Sequence, residues 1–151
     1  MADPLSLHSQ LQSLATFAFQ SSVTLYNTVQ SFQSRSKRVR DLIEELEALS
    51  RVLGHLVETF SATIDDEVSA LDLPLLRCGN SCKDFEQEII KCSSQPGVSR
   101  TSFRDWARLR YMGEDIDGFR RLLAGYKLTI VIAVTHANLY ASVILCIIKQ
   151  R

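Results

Sequence analysis

The sequence predicts an all-α protein, an antiparallel helical bundle of four to five helices with a long, buried C-terminal helix, and three observations carry that expectation. Apolar residues recur at alternating spacings of three and four along four separate stretches. The chain has only 3 prolines and 6 glycines in 151 residues, and Pro4, Pro74 and Pro96 fall where a helical pattern starts or stops. No run alternates with a period of two between turn residues, so strands have no support. A chain of this length is expected to fold as one domain across residues 1–151 around one core.

The first helix is predicted over residues 5–32, where Leu7, Leu11, Leu14, Ala18, Ser22, Leu25, Val29 and Phe32 form the stripe. Ser22 is its weak position. A short polar turn at Ser34-Arg35-Ser36 follows, with Ser36 placed to cap the next helix. That second helix has the clearest seam, Val39, Leu42, Leu46, Leu49, Leu53, Leu56 and Phe60. Its other faces carry Lys37, Arg38, Arg40, Asp41, Glu44, Glu45, Glu47 and Arg51. Arg40 with Glu44 and Glu47 with Arg51 make i,i+4 pairs of a few tenths of a kcal/mol each, the mark of a solvated face.

A polar link at residues 63–72 precedes a third helix opened by Pro74, with a seam of Leu75, Cys78, Cys82, Phe85, Ile89 and Cys92. Gln95-Pro96-Gly97 marks a loop. Thr101 or Ser102 can cap a short helix carrying Phe103, Trp106 and Leu109 that ends near Gly113. The last helix begins near Glu114, its seam running through Ile116, Phe119, Leu123, Tyr126, Ile130, Ala133, Ala137, Tyr140, Ile144 and Ile147. Residues 128–134 are apolar on nearly every face, which predicts that this helix is the most enclosed of the bundle. Residues 128–148 also have the length to span a bilayer at about 1.5 Å per residue. Thr129, Thr135, His136, Asn138 and Ser142 suit hydrocarbon poorly, however, and the seam continues in phase from Ile116, so packing within the bundle is the expectation.

Composition narrows the function classes. Hydrophobic residues make up 46% and charged residues 23% of the chain, near the averages for folded domains. The 17 basic and 17 acidic side chains cancel, so the attraction that nucleic-acid binders carry is missing and nucleic acid is not an expected partner. The start of the chain has no positive n-region or compact apolar core of a secretory signal, which predicts a cytoplasmic location and reduced, buried cysteines.

Candidate chemistry is sparse. Cys78 and Cys82 each replace a core residue on an amphipathic face, so small buried hydrophobes are expected there rather than metal ligands. Asp65-Asp66-Glu67 lacks a second acidic cluster and reads as a solvated linker. No phosphate-binding loop, dinucleotide fingerprint or nucleophile elbow is present. His8 and His55 are expected at the surface, and His136, next to the last seam, is expected to be buried and hydrogen-bonded. The basic run from Arg35 to Arg40 could touch anionic lipid, but Glu44, Glu45 and Glu47 follow at once and blunt it. No catalytic residue, cofactor or metal is therefore expected, and the chain is read as no enzyme.

Between Asp3 and Arg35 the sequence holds no charged residue. Two readings stay open: a helix wedged between others, or one that can leave the bundle and enter a membrane interface without burying a charge. Leu5, Leu7, Leu11, Leu14, Phe17 and Phe19 are the candidate residues for such a membrane or partner face.

Several segments are familiar in order and spacing. They are Met1-Ala2-Asp3-Pro4-Leu5-Ser6, the run Leu-Ile-Glu-Glu-Leu-Glu-Ala-Leu-Ser-Arg-Val-Leu at 42–53, Leu75-Leu76-Arg77-Cys78, Asp105-Trp106-Ala107-Arg108, and 116–137 with its Leu122-Leu123-Ala124-Gly125-Tyr126-Lys127. Together, over nearly the whole chain to about Leu139, the sequence resembles the fungal N-terminal domain of the azaphilone pigment biosynthesis cluster protein L type. That family is related to HeLo-like and other N-terminal domains of fungal NACHT and STAND receptors. Residues 140–151, rich in Ile, depart from its usual polar continuation, and residues 1–151 contain no stretch resembling the receptor half.

The resemblance implies a helical bundle, and HeLo-like relatives imply a cell-death effector whose N-terminal helix targets membranes. The leading expectation is thus a non-enzymatic signalling or adaptor domain that associates with itself, with another helical signalling domain or with membrane lipids. The alternative is a small-molecule-binding or accessory protein of a secondary-metabolite pathway, with a pocket lined by Phe103, Trp106, Tyr126 and Tyr140.

Overall fold

The computed structural model describes the backbone of residues 4–31, 37–60, 71–93 and 114–150. Within these, side-chain surroundings are described for 10–31, 37–58, 71–90 and 116–150, apart from 137, 140 and 141. All the described regular structure is helical: α1 (Pro4–Gln30), α2 (Lys37–Phe60), α3 (Asp72–Ser93) and α4 (Glu114–Lys149). The all-α bundle expected from the periodicity is what forms. The short helix expected at Phe103, Trp106 and Leu109, and the acidic run at 65–67, lie outside the described residues.

Helix boundaries follow local chemistry. Pro4 opens α1, where its missing N–H would have no helical acceptor anyway. The helix closes two residues before the expected Phe32, with the Ser31 N–H on the Asn27 carbonyl at 3.1 Å and its hydroxyl on the Thr28 carbonyl at 2.6 Å. Asp72 sits in the first turn of α3 and Lys149 in the last turn of α4, each at the end whose helix dipole favours its charge.

Pairwise contacts fix the topology. Ser22 meets Ser50 and Phe19 meets Gly54, so α1 and α2 run antiparallel. Phe17 lies on Gly79 and Thr28 reaches Glu86, which makes α1 and α3 parallel neighbours. Arg38 pairs with Asp117 and Glu45 with Lys127, so α2 and α4 are also parallel. Phe85 stacks on Phe119 across α3 and α4, with ring centroids 4.1 Å apart and planes 3° from parallel, and Ser81 faces Tyr126. Consecutive helices therefore alternate in direction as expected, while the side-by-side pairs α1/α3 and α2/α4 point the same way.

The core matches the predicted seams closely. Leu42, Leu46, Leu49 and Leu53 of α2 are fully buried, as are Leu25 and Val29 of α1, Leu75 of α3 and Leu123 and Ile130 of α4. One expectation fails: α4 is long but not buried along its length. Its seam is enclosed from Ile116 to Ile130 and half-enclosed at Ala133 and Val134, whereas residues 142–150 are exposed on every face. Length explains this. At about 1.5 Å per residue the 36 residues of α4 reach about 54 Å, against about 36 Å for α2 and about 33 Å for α3, so its neighbours run out.

The helix α1 packs against both α2 and α3, as α2 packs against both α1 and α4. The buried face of α1 holds Ala15, Ala18 and Ser22, small residues that let two other backbones come close. Gln12, Ser13, Gln20, Thr24, Asn27 and Gln30 still face solvent, so the outer face of α1 is polar but uncharged, and packing does not account for its lack of charge.

Candidate association surface

Beyond Ile130, the seam of α4 runs on into solvent through Ile144 and Ile147, 38% and 53% exposed, with Ile148 beside them at 63%. Ile132, Leu139, Val143 and Leu145 are exposed off that stripe. Between Leu128 and Ile148 the sequence contains no Asp, Glu, Lys or Arg. The result is an uncharged apolar rod anchored at one end. Its anchor is specific: Lys127 Nζ lies 2.8 Å from Glu45 Oε1, with Glu45 mostly buried, and Arg38 Nε lies 3.6 Å from Asp117 Oδ2. In the sequence Glu45 and Arg38 belong to a solvated face; in the structure Glu45 pairs with Lys127 and the more exposed Arg38 with Asp117, both across to α4. Helical periodicity alone cannot show that a charged edge residue has a partner on a distant helix.

The proposed first-helix face is placed differently. Leu11 is buried and Leu14, Phe17 and Phe19 are half-buried. A Cβ at Gly79 would lie 2.4 Å from Phe17 Cε1, and one at Gly54 would lie 3.3 Å from Phe19 Cε2. The two phenyl rings thus rest on glycines of the two helices that flank α1. The side chains of Leu5 and Leu7 lie outside the described set.

The expected aromatic pocket falls mostly outside the described residues. Phe103, Trp106 and the Tyr140 side chain lie outside them. Tyr126 is half-buried against the core, its hydroxyl 3.5 Å from Ser81 Oγ.

Cys78 and Cys82 are buried free thiols, as their seam positions predict, and Cys82 is held firmly protonated. Its hydrogen bond with Cys78, then its burial, then the charge of Glu86 all push its pKa upward. Cys146 is a free thiol but exposed, contrary to expectation, because it sits on the projecting part of α4. His136 is exposed for the same reason rather than buried, and His55 is at the surface as expected. Among the described residues no three His, Cys, Asp or Glu side chains gather where they could hold a metal ion. Among them, too, no helix is long and apolar enough to cross a membrane.

The fold and its surface define a helical-bundle domain with one apolar helix end held out from the core. By its sequence the chain belongs to the family described as the pigment biosynthesis cluster protein PigL N-terminal domain, whose family model matches residues 2–149. No curated protein and no solved structure matches it.

Proposed function

We propose that this PigL N-terminal domain is a non-enzymatic association module that joins a second copy of itself through the distal half of α4. The observation that carries this is the exposure of Ile144, Ile147 and Ile148 along one face of an uncharged helix. Exposed apolar patches of this kind mark interaction surfaces in water-facing proteins. The absence of charge fits the core of a protein interface, where charged residues are depleted. A seam that keeps its three-four spacing past the end of the bundle is shaped to receive another helix, and the same helix in a second copy offers the matching uncharged surface.

An adaptor or signalling role, of the kind suggested by the likeness to N-terminal domains of fungal NACHT and STAND receptors, is part of this proposal. Membrane entry by α1 has less in its favour. Releasing α1 would expose Leu25, Val29 and the alanine face, and would strip Phe17 and Phe19 from their glycines.

Sedimentation of the full chain against the double variant Ile144→Glu, Ile147→Glu tests the reading. The expected result is a dimer or larger species for the parent and a monomer of equal helix content for the variant. A monomeric parent across the micromolar range would sink it, as would a monomeric parent that floats with anionic vesicles through the same two residues.

A further inference from the structure

The four helices do not end together. The helix α1 packs against α2 and α3, and α4 packs against the same two, so α1 and α4 stand at opposite corners of the bundle. Ser22 is level with Ser50 and Phe19 with Gly54. At equal rise per residue this places Phe60, the last residue of α2, beside about residue 12 of α1. Phe17 on Gly79 and Thr28 beside Glu86 set Asp72, the first residue of α3, at about the same height. Because α1 begins at Pro4, it runs on for about two turns beyond both neighbours.

At the same end α4 also overruns. Arg38 beside Asp117 and Glu45 beside Lys127 make Phe60 level with about residue 140, and residues 142–150 are exposed from there on. Two opposite corners therefore carry projecting helix ends, while the two between them carry none among the described residues. Neither projection is charged, from Pro4 to Leu11 or from Ser142 to Ile148. Both keep the core register: Leu7 stands four residues before the buried Leu11, and Ile144 two heptads after the buried Ile130.

We propose that two copies meet end to end at this face, related by a two-fold axis perpendicular to the helices. The projecting α1 and α4 of each copy enter the corners that α2 and α3 leave open in the other. The four ends form one further layer of the bundle, continuous with both cores. A parallel copy has no such place, since the seam of α4 faces the side of its own α2 and joining two seams side by side drives one bundle into the other. The arrangement rests on the self-association read from α4. To that it adds α1, the orientation, and closure at two chains, because a two-fold contact is self-complementary.

Small-angle X-ray scattering and sedimentation of the full chain test it. The expected particle is a dimer about 95 Å long, two α4 helices of about 54 Å overlapping by about 13 Å at their ends. Leu7→Glu, on the projecting turns of α1, should weaken association by about tenfold or more with helix content unchanged. Gln20→Glu, at an exposed position in the middle of α1, should leave it as in the parent. A dimer little longer than α4 itself, or one indifferent to Leu7→Glu, overturns the end-to-end arrangement and leaves association through α4 in place. A monomeric parent removes both.

Discussion

The ring of Phe17 lies so close to α3 that a methyl group on Gly79 would sit 2.4 Å from its Cε1. Glycine inside a helix ordinarily costs about 0.5–1 kcal/mol relative to alanine, and here the ring takes the space the methyl would need. Gly79→Ala should therefore destabilise the chain by about 1–2 kcal/mol through overpacking. In a Phe17→Ala background the same change should stabilise it by up to about 1 kcal/mol. A double-mutant cycle in urea reads the reversal, and an effect of the same sign in both backgrounds would dismiss the contact.

Gly118 and Gly125 in α4 give the converse case, since nothing approaches within 4 Å of the position a Cβ would occupy. Alanine at either site should add about 0.5–1 kcal/mol by helix propensity alone. Thermal melts of the two single variants check this, and a loss of stability at both would mean that α4 is packed there after all.

Much of the fold was legible because each helix advertises its buried stripe. The α2 seam from Val39 to Leu56 is buried residue for residue, and the α1 stripe from Leu11 to Val29 differs mainly in adding Ala15. The relations between helices were not legible. Nothing local distinguishes Gly79, covered by Phe17, from Gly118, which faces open space. Nor does a seam show where its partners end, and so Ile144 and Ile147 continue a core pattern into solvent. For the same reason the lack of charge at 128–148 reads as burial in the sequence, whereas residues 142–150 are exposed.

Truncations on α2 and α4 should separate the core from the projecting helix. Leu53→Ala, in a fully buried position, is expected to cost about 2–5 kcal/mol. Leu145→Ala, on the exposed part of α4, should stay within about 0.5 kcal/mol at protein concentrations too low for association. Urea denaturation of both at the same concentration makes the comparison, and equal losses would show that 139–148 is covered within one chain.

Ser22 is the buried polar residue of the α1 stripe, its hydroxyl donating to the Phe19 carbonyl at 2.8 Å and lying 3.1 Å from Ser50 Oγ. Ser50 is partly open to solvent, so it keeps access to water when its partner is removed. Ser22→Ala should accordingly cost no more than about 1 kcal/mol. Ser22→Leu, which restores the apolar seam on paper, should cost about 1–3 kcal/mol because α2 lies too close. A leucine variant more stable than the parent would show that the α1–α2 spacing is wrong.

The thiols should divide by reactivity and by pH. Cys146 is exposed and should be modified by a thiol reagent in the folded protein, whereas Cys78 and Cys82 should react only as fast as the chain opens. Cys82 has its folded-state pKa raised by Cys78, burial and Glu86, so folding favours the protonated form. Its contribution is complete below the unfolded-state value near 8.5. It is lost as pH rises beyond that, because the unfolded chain then releases a proton that the folded one keeps, at up to about 1.4 kcal/mol per pH unit. Cys82→Ala removes this group from both states. Stability measured between pH 7 and 10 should fall less steeply in that variant than in the parent, and parallel slopes would mean that Cys82 ionises equally well in the folded protein.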